Sequence, residues 1–345
     1  MNSEDGQQVP AVPPADLRQL VVDLEGDERF VEVVRALSRG ESATVDGAWG
    51  SACALALSGI SRQRPSALVV VVPRVGEVEA LAADMGAFAH APPLVFPAWE
   101  TLPEEHDTSD PVFTARLRVL SALERATNPP VVVTSIAALM QPVPSRAQRN
   151  ASTRRFVTGE ETDPEELLEW LVARGLEPTT AVALPGEFSR HGGIIDIFAP
   201  DAVDPVRLEF FGDEIDSIRT FDAESQRQLE VCEEVELCLV EPAGVAAADE
   251  AELLTESLPE GTWVGLVELP DLKREGEEVR SRLERREGLV TVEEVLRGLT
   301  EFPSVVVAAL SAASMETTCH LAVESIERFG GPRTRVLEEL QETLG

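Results

Sequence analysis

Short apolar runs alternate with amphipathic stretches along the first 140 residues. After a polar segment, 1–15, that contains three prolines and predicts a loose N-terminus, helical spacing covers Leu17–Leu24 and Glu28–Ser38. Then come SATVD, a helix from about Ser51, ALVVVVP, a helix from about Gly76 to Ala87, PLVF, a helix over Val112–Arg125, and PVVVTS. Runs that are apolar at every position predict strands buried on both faces, and the helices between them predict a parallel sheet. The expectation for this part is an α/β domain.

Near residue 151 the pattern changes. TRRFVTG is strand-like, and Pro164–Arg174 is amphipathic with Asp163 placed to cap it. IIDIF, VRLEFF and DSIRTF then follow at short intervals, separated by Gly, Asp and Pro. Strands joined by short turns beside one helix predict an inserted α+β domain. From about 240 the first pattern returns, with WVGLVE and SVVVAAL as strands around a charged, solvated helix over Leu272–Arg286. The expected division is therefore 16–152 and 241–345 as two segments of one α/β domain and 153–240 as the insert, with room for the start of a further domain after about 325.

Charge narrows the function. Asp and Glu number 62 against 29 Lys and Arg, a formal net charge of -33. Affinity for nucleic acid comes largely from Lys/Arg contacts that release counterions, and no basic stripe is present to supply them. Four cysteines (53, 232, 238, 319) form no CxxC pair, and the four histidines stand at no metal-ligand spacing, so neither metal nor cofactor is expected. With no apolar run near twenty residues and no signal peptide, the chain reads as a cytoplasmic protein.

One motif invites an enzymatic reading. TVD leads into GAWGSACALAL, a strand, a glycine-bearing turn and a helix, which is where a phosphate-binding loop would lie. Ala52 and Cys53 occupy the places of the lysine and the Ser/Thr, and the only lysine in the chain is Lys273. The turn reads as scaffold, and no catalytic constellation is evident elsewhere.

The stretch PGEFSRHGGIIDIFAP (185–200), followed by PVRLEFFGDEIDSIRTFDAESQRQL (205–229), resembles the module shared by the bacterial transcription-repair coupling factors and the excinuclease protein UvrB. FPAWETLPEE (96–105) and PVFTARLRVL resemble the coupling factors specifically. Only about ten residues separate Leu102 from Val112, too few for the long aromatic DNA-probing hairpin of UvrB. The resemblance implies a degenerate helicase-like, P-loop-type fold interrupted by a small α+β domain. It implies loss of ATP and DNA binding, and docking of the excinuclease protein UvrA on the insert during nucleotide excision repair. It further implies that the RNA-polymerase-binding and ATP-driven translocase parts lie outside these 345 residues, so that the chain corresponds to an N-terminal portion. The alternative is a divergent ATP-dependent damage-recognition protein like UvrB, which would need nucleotide binding without the lysine.

Strand alternation places the candidate contacts. Val206, Leu208 and Phe210 should face the core, which puts Arg207, Glu209 and Phe211 outward. By resemblance, Arg207 and Phe211 match two residues that bind UvrA, and the third position falls on His191, with Arg190 one residue earlier. Adjacent strand residues point to opposite faces, so either Arg190 reaches across through a bulge or His191 makes the contact. The competing reading has Arg190 and Arg207 offsetting Glu187, Glu209 and Asp213, with Phe211 covering a sheet end. Asp196 reads as a turn acceptor or an interface residue, Trp99 as core, and Glu100 and Thr101 as caps of the next segment.

Overall fold

The valine run Leu68–Val72 (β2) is an interior strand of a seven-stranded parallel sheet and is buried at every position. Its side chains divide by parity: Val69 and Val71 enter one hydrophobic layer, and Leu68, Val70 and Val72 the other. That is the pattern of a strand covered on both faces. The structure is a computed structural model and describes residues 16–99, 108–241, 252–282, 289–310 and 317–323.

In chain order the first segment contains α1 (Arg18–Glu25), α2 (Glu28–Ser38), β1 (Ala43–Asp46), α3 (Ser51–Gln63), β2, α4 (Val78–Phe88), β3 (Leu94–Phe96), α5 (Pro111–Arg125), β4 (Val131–Ser135), α6 (Ile136–Leu139) and α7 (Arg146–Ala151). After the insert come β13 (Trp263–Val267), α9 (Leu269–Arg282), α10 (Val292–Leu299), β14 (Ser304–Ala308) and β15 (Thr317–His320). The strand order is β15-β1-β14-β13-β2-β4-β3, so both chain segments contribute to one sheet. Helices α1 to α4 cover one face, while α5, α6, α9 and α10 cover the other. The α/β fold with a parallel sheet agrees with the sequence pattern.

The charged helix is longer at its start than its pattern suggests, and it is docked rather than free. Leu272 and Gly276 of α9 are buried, and a Cβ on Gly276 would stand 2.7 Å from Val292, so the absent side chain lets α9 and α10 touch. Residues 283–286 of that prediction, the caps Glu100 and Thr101, and the segments 1–15 and 325–345 lie outside the described residues. Trp99 is buried against Phe113, and its backbone N–H donates to Gln141 Oε1 at 2.8 Å.

Between the two segments lie β5 (Thr153–Val157), α8 (Pro164–Ala173), β6 (Glu177–Pro178), β7 (Glu187–His191), β8 (Ile194–Ile197), β9 (Val206–Phe211), β10 (Glu214–Phe221), β11 (Gln228–Cys232) and β12 (Glu234–Cys238). Asp163 caps α8 by accepting from the backbone of Glu165 and Glu166, and Pro164 fills the first helical position, where a missing N–H costs nothing. Strands β6 to β11 form a six-stranded sheet in the order β11-β10-β9-β8-β7-β6, antiparallel except for β6 with β7. Strands β5 and β12 pair separately and antiparallel. Phe156, Leu167, Leu171, Ile195, Ile197, Leu208 and Ile218 build the core between this sheet, α8 and the β5–β12 pair.

The turn after β1 is closely packed by the chain itself. Gly47 has φ +72°, and a Cβ there would run into the Leu321 carbonyl and stand 2.8 Å from His320 Cε1. His320 Nδ1 lies 2.7 Å from Asp46 Oδ1, and the Ala48 N–H donates to Ala308 O at 3.1 Å. The β1–α3 turn is thus packed against the chain's own β15 and β14. Burial pushes the Cys53 thiol up to about 11, leaving no ionised ligand at that position. Gly47→Val is expected to cost about 2 kcal/mol, since it forces a β-branched residue into the left-handed region and into Leu321. Urea unfolding followed by circular dichroism checks this, and a loss below about 0.5 kcal/mol would show that the packing is loose.

Candidate protein-docking site

The two faces of the six-stranded sheet differ. The inner face carries Val206, Leu208, Ile195, Ile197 and Ile218 into the core. The register assigns the other side chains. Ser189, Asp196, Arg207, Arg219 and Val231 are successive cross-strand partners from β7 to β11 and form one outward column. His191, Ile194, Glu209 and Ser217 form the next column on the same face, and Phe211 stands one step further along β9.

The register places the two basic residues before the glycines on opposite faces. His191 pairs with Ile194 and shares the outward face with Arg207, whereas Arg190 pairs with Ile195 in the core-facing row. The β7–β8 register runs without a shift, so no bulge carries Arg190 across. Its guanidinium instead meets Glu165 of α8 at 2.6 Å at the edge of the inner face. His191 Nε2 donates to the Thr180 carbonyl at 2.7 Å, which fixes the ring beside the loop before β7. Gly193 makes the close turn possible: its carbonyl accepts from Phe210 N–H at 2.7 Å, and a Cβ there would stand 2.9 Å from Phe210 O.

Arg207 is held rather than free. Its Nε and one terminal nitrogen donate to the two oxygens of Asp196 at 2.7 and 2.8 Å, and its guanidinium lies over the Phe221 ring with 4.7 Å to the centroid. The bidentate bond fixes the plane of the group and raises its already high pKa, because the charged form makes the bond. Asp196 is therefore neither a turn acceptor nor an exposed contact; its side chain is only 4% exposed and serves Arg207. The ion-pair partners of the two arginines are Asp196 and Glu165, while Glu209 adds a weaker electrostatic contribution at Arg207. Glu209 pairs with Arg219 and also accepts from Ser217 Oγ at 2.9 Å. Phe221 forms a small cluster on this face with Val182 and Phe198, which supports the stacked guanidinium from below.

Phe211 is 82% exposed at the end of β9, beside the turn at Gly212, with no apolar cluster beneath it among the described residues. Val231 on the edge strand β11 is also mostly exposed, and Leu229 lies half-exposed nearby. Arg207 and Phe211 are four residues apart along one strand, about 13 Å, and Val231 lies two strand spacings from Arg207, about 10 Å. The face thus presents a fixed, paired arginine with one bare apolar side chain further along its strand and another across the sheet from it. The sequence reading missed Arg219 and Val231. The period-2 pattern of DSIRTF marks Arg219 as outward, but Val231 needed the β10–β11 register, which shifts between Arg219 and Phe221.

Among the described residues, no group of three or more His, Cys, Asp or Glu side chains is placed to hold a metal ion, and no helix is long and apolar enough to cross a membrane.

Residues 155–241 match the UvrB interaction domain, a span that includes all of β6 to β11. The transcription-repair-coupling factor of Myxococcus xanthus is 34% identical over 273 residues, 76% of this chain and 22% of that protein. That of Mycobacterium tuberculosis (strain CDC 1551 / Oshkosh) is 38% identical over 188 residues, 52% of this chain and 15% of that protein. That of Bacillus subtilis (strain 168) is 29% identical over 210 residues, 60% of this chain and 18% of that protein. The chain spans less than a quarter of the length of these relatives. It carries a UvrB interaction domain and is, over about three-quarters of its own length, a relative of the transcription-repair-coupling factors.

Proposed function

We propose that residues 153–240 are the docking part of this chain and that the outward face of β7 to β11 binds the excinuclease protein UvrA, with 16–152 and 241–345 as a non-catalytic α/β scaffold. The observation that carries the reading is Phe211, a large aromatic side chain left bare on the same strand face as an arginine whose position is fixed. Aromatic and arginine side chains anchor protein interfaces because they bring much contact area at little entropic cost. Arg207 already commits two donors to Asp196, so it offers the partner an oriented, largely compensated charge. Apolar insertion of Phe211 then supplies most of the affinity, with His191 and Val231 at the margins. Arg190 is assigned to the α8 edge of the insert, as a second contact at most. A cytoplasmic location beside the repair machinery goes with this role. Contacts with RNA polymerase and DNA are assigned to parts of the longer relatives beyond this match.

Calorimetric titration of the chain with UvrA from the same organism is the direct test, and saturable one-to-one binding is expected. An ATP hydrolysis assay run alongside should show no activity above the buffer rate, because the β1–α3 turn lacks lysine and is filled by His320 and Leu321. Absent binding together with ATP turnover would replace the docking reading with the UvrB-like enzyme.

A further inference from the structure

At the seam between the α/β domain and the insert lies a cavity of about 330 Å³. The end of α5 contributes Ser121, Glu124 and Arg125, helix α7 contributes Arg146 and Arg149, and β5 contributes Arg155. Four arginines line it against Glu124 and Glu236, and two further carboxylates, Asp201 and Glu234, pair with Arg125 and Arg155 at its edge, so charge is locally balanced in a chain whose net charge is -33.

The arginines are unequally engaged. Arg149 is 3% exposed and committed: its terminal nitrogens donate to the Pro144 carbonyl and, at 2.5 Å, to Glu124. Arg125 reaches Asp201 and Glu236 only at 3.4 and 3.5 Å, and Arg146 approaches Glu124 no closer than 4.0 Å. Good N–H···O bonds to a carboxylate close to about 2.8 Å. Each guanidinium carries five donors, so Arg125 and Arg146 keep uncommitted donors at the cavity. Arg155 pairs with Glu234 on the neighbouring strand and keeps its exposed side open. Here one buried pair, Arg149–Glu124, holds the floor while two loosely held guanidinium groups flank it.

We propose that this seam cavity is a binding site for a phosphate group, either free or carried by a small molecule, with Arg125, Arg146 and Arg155 as its ligands. Planar donor forks match the oxygens of a phosphate, and the volume exceeds that of inorganic phosphate, leaving room for an attached group. A ligand there would touch α5, α7 and β5 at once and so tie the insert to the α/β domain.

The test is calorimetric titration of the intact chain with inorganic phosphate, pyrophosphate and adenosine monophosphate at matched ionic strength, repeated on Arg146→Gln and Arg155→Gln. Both side chains are mostly exposed, so neither substitution threatens the fold. Saturable one-to-one binding of any of the three, weakened about fivefold or more by each variant, supports the site. The ranking of the three identifies the source: pyrophosphate alone points to a free polyphosphate, and the monophosphate above phosphate points to an ester. No saturable heat up to about 20 mM of any ligand, which corresponds to less than about 2.3 kcal/mol of binding free energy, overturns it. Binding that both variants leave unchanged also overturns it, by placing the anion elsewhere.

Discussion

Phe211→Ala should weaken binding to UvrA by about thirtyfold or more, close to 2 kcal/mol, while changing the unfolding free energy by no more than about 0.5 kcal/mol. The two halves of that expectation have separate causes. At 82% exposure the ring contributes little to the insert's own core, so truncating it removes almost nothing from the folded state. In a complex the same ring passes from water into a pocket, and the full transfer term is lost on truncation. Calorimetry of the variant against UvrA, with parallel urea unfolding, reads both quantities. Unchanged affinity would move the interface off this end of β9, even if the parent chain binds.

Arg207→Ala is the second large effect, and its main consequence is on stability. The substitution leaves the carboxylate of Asp196, only 4% exposed, with its bidentate donor gone. Removing one member of such a pair costs more than the pair is worth, because the remaining charge stays desolvated. The expected loss is about 3 kcal/mol in the insert. Removing both charges, as in Arg207→Gln with Asp196→Asn, should cost less than the single variant, so the two substitutions are strongly non-additive. A thermal or urea melt of the two variants checks the ordering. Equal losses from the single and double variants would show that Asp196 is reached by water when Arg207 is absent. The comparison also governs how binding data are read: a loss of affinity in Arg207→Glu mixes a broken contact with a weakened domain, whereas Phe211→Ala does not.

The sequence exposed the parts of this fold that depend on periodicity. LVVVV at 68–72 could be assigned to a central strand because apolar residues at both parities leave no solvent face, and Asp163-Pro164 could be read as a helix start from its capping chemistry. Strand alternation also sorted VRLEFF, with Val206 and Leu208 in the core and Arg207 and Phe211 outward. What stayed hidden depends on register between strands that are distant in sequence. The Asp196–Arg207 pair spans two strands and a connection, so IIDIF alone marks Asp196 as outward without naming its partner. Which of Arg190 and His191 shares the face of Arg207 likewise depends on whether β7 bulges, a fact carried by its pairing with β8 and not by SRHGG itself. The seam cavity was illegible for the same reason: Arg125, Arg146 and Arg155 come from three separate elements, and no local pattern groups them.

Thr153 and Cys238 are cross-strand partners in the β5–β12 pair, so the points where the chain leaves and rejoins the α/β domain are adjacent. To the surrounding parallel sheet, everything between them is equivalent to one hairpin. Such a cassette can be gained, lost or exchanged without disturbing the order of the host strands, because the host must bridge only a single strand spacing. A docking surface carried on such a cassette can diversify with its partner while the scaffold beneath it stays as it was.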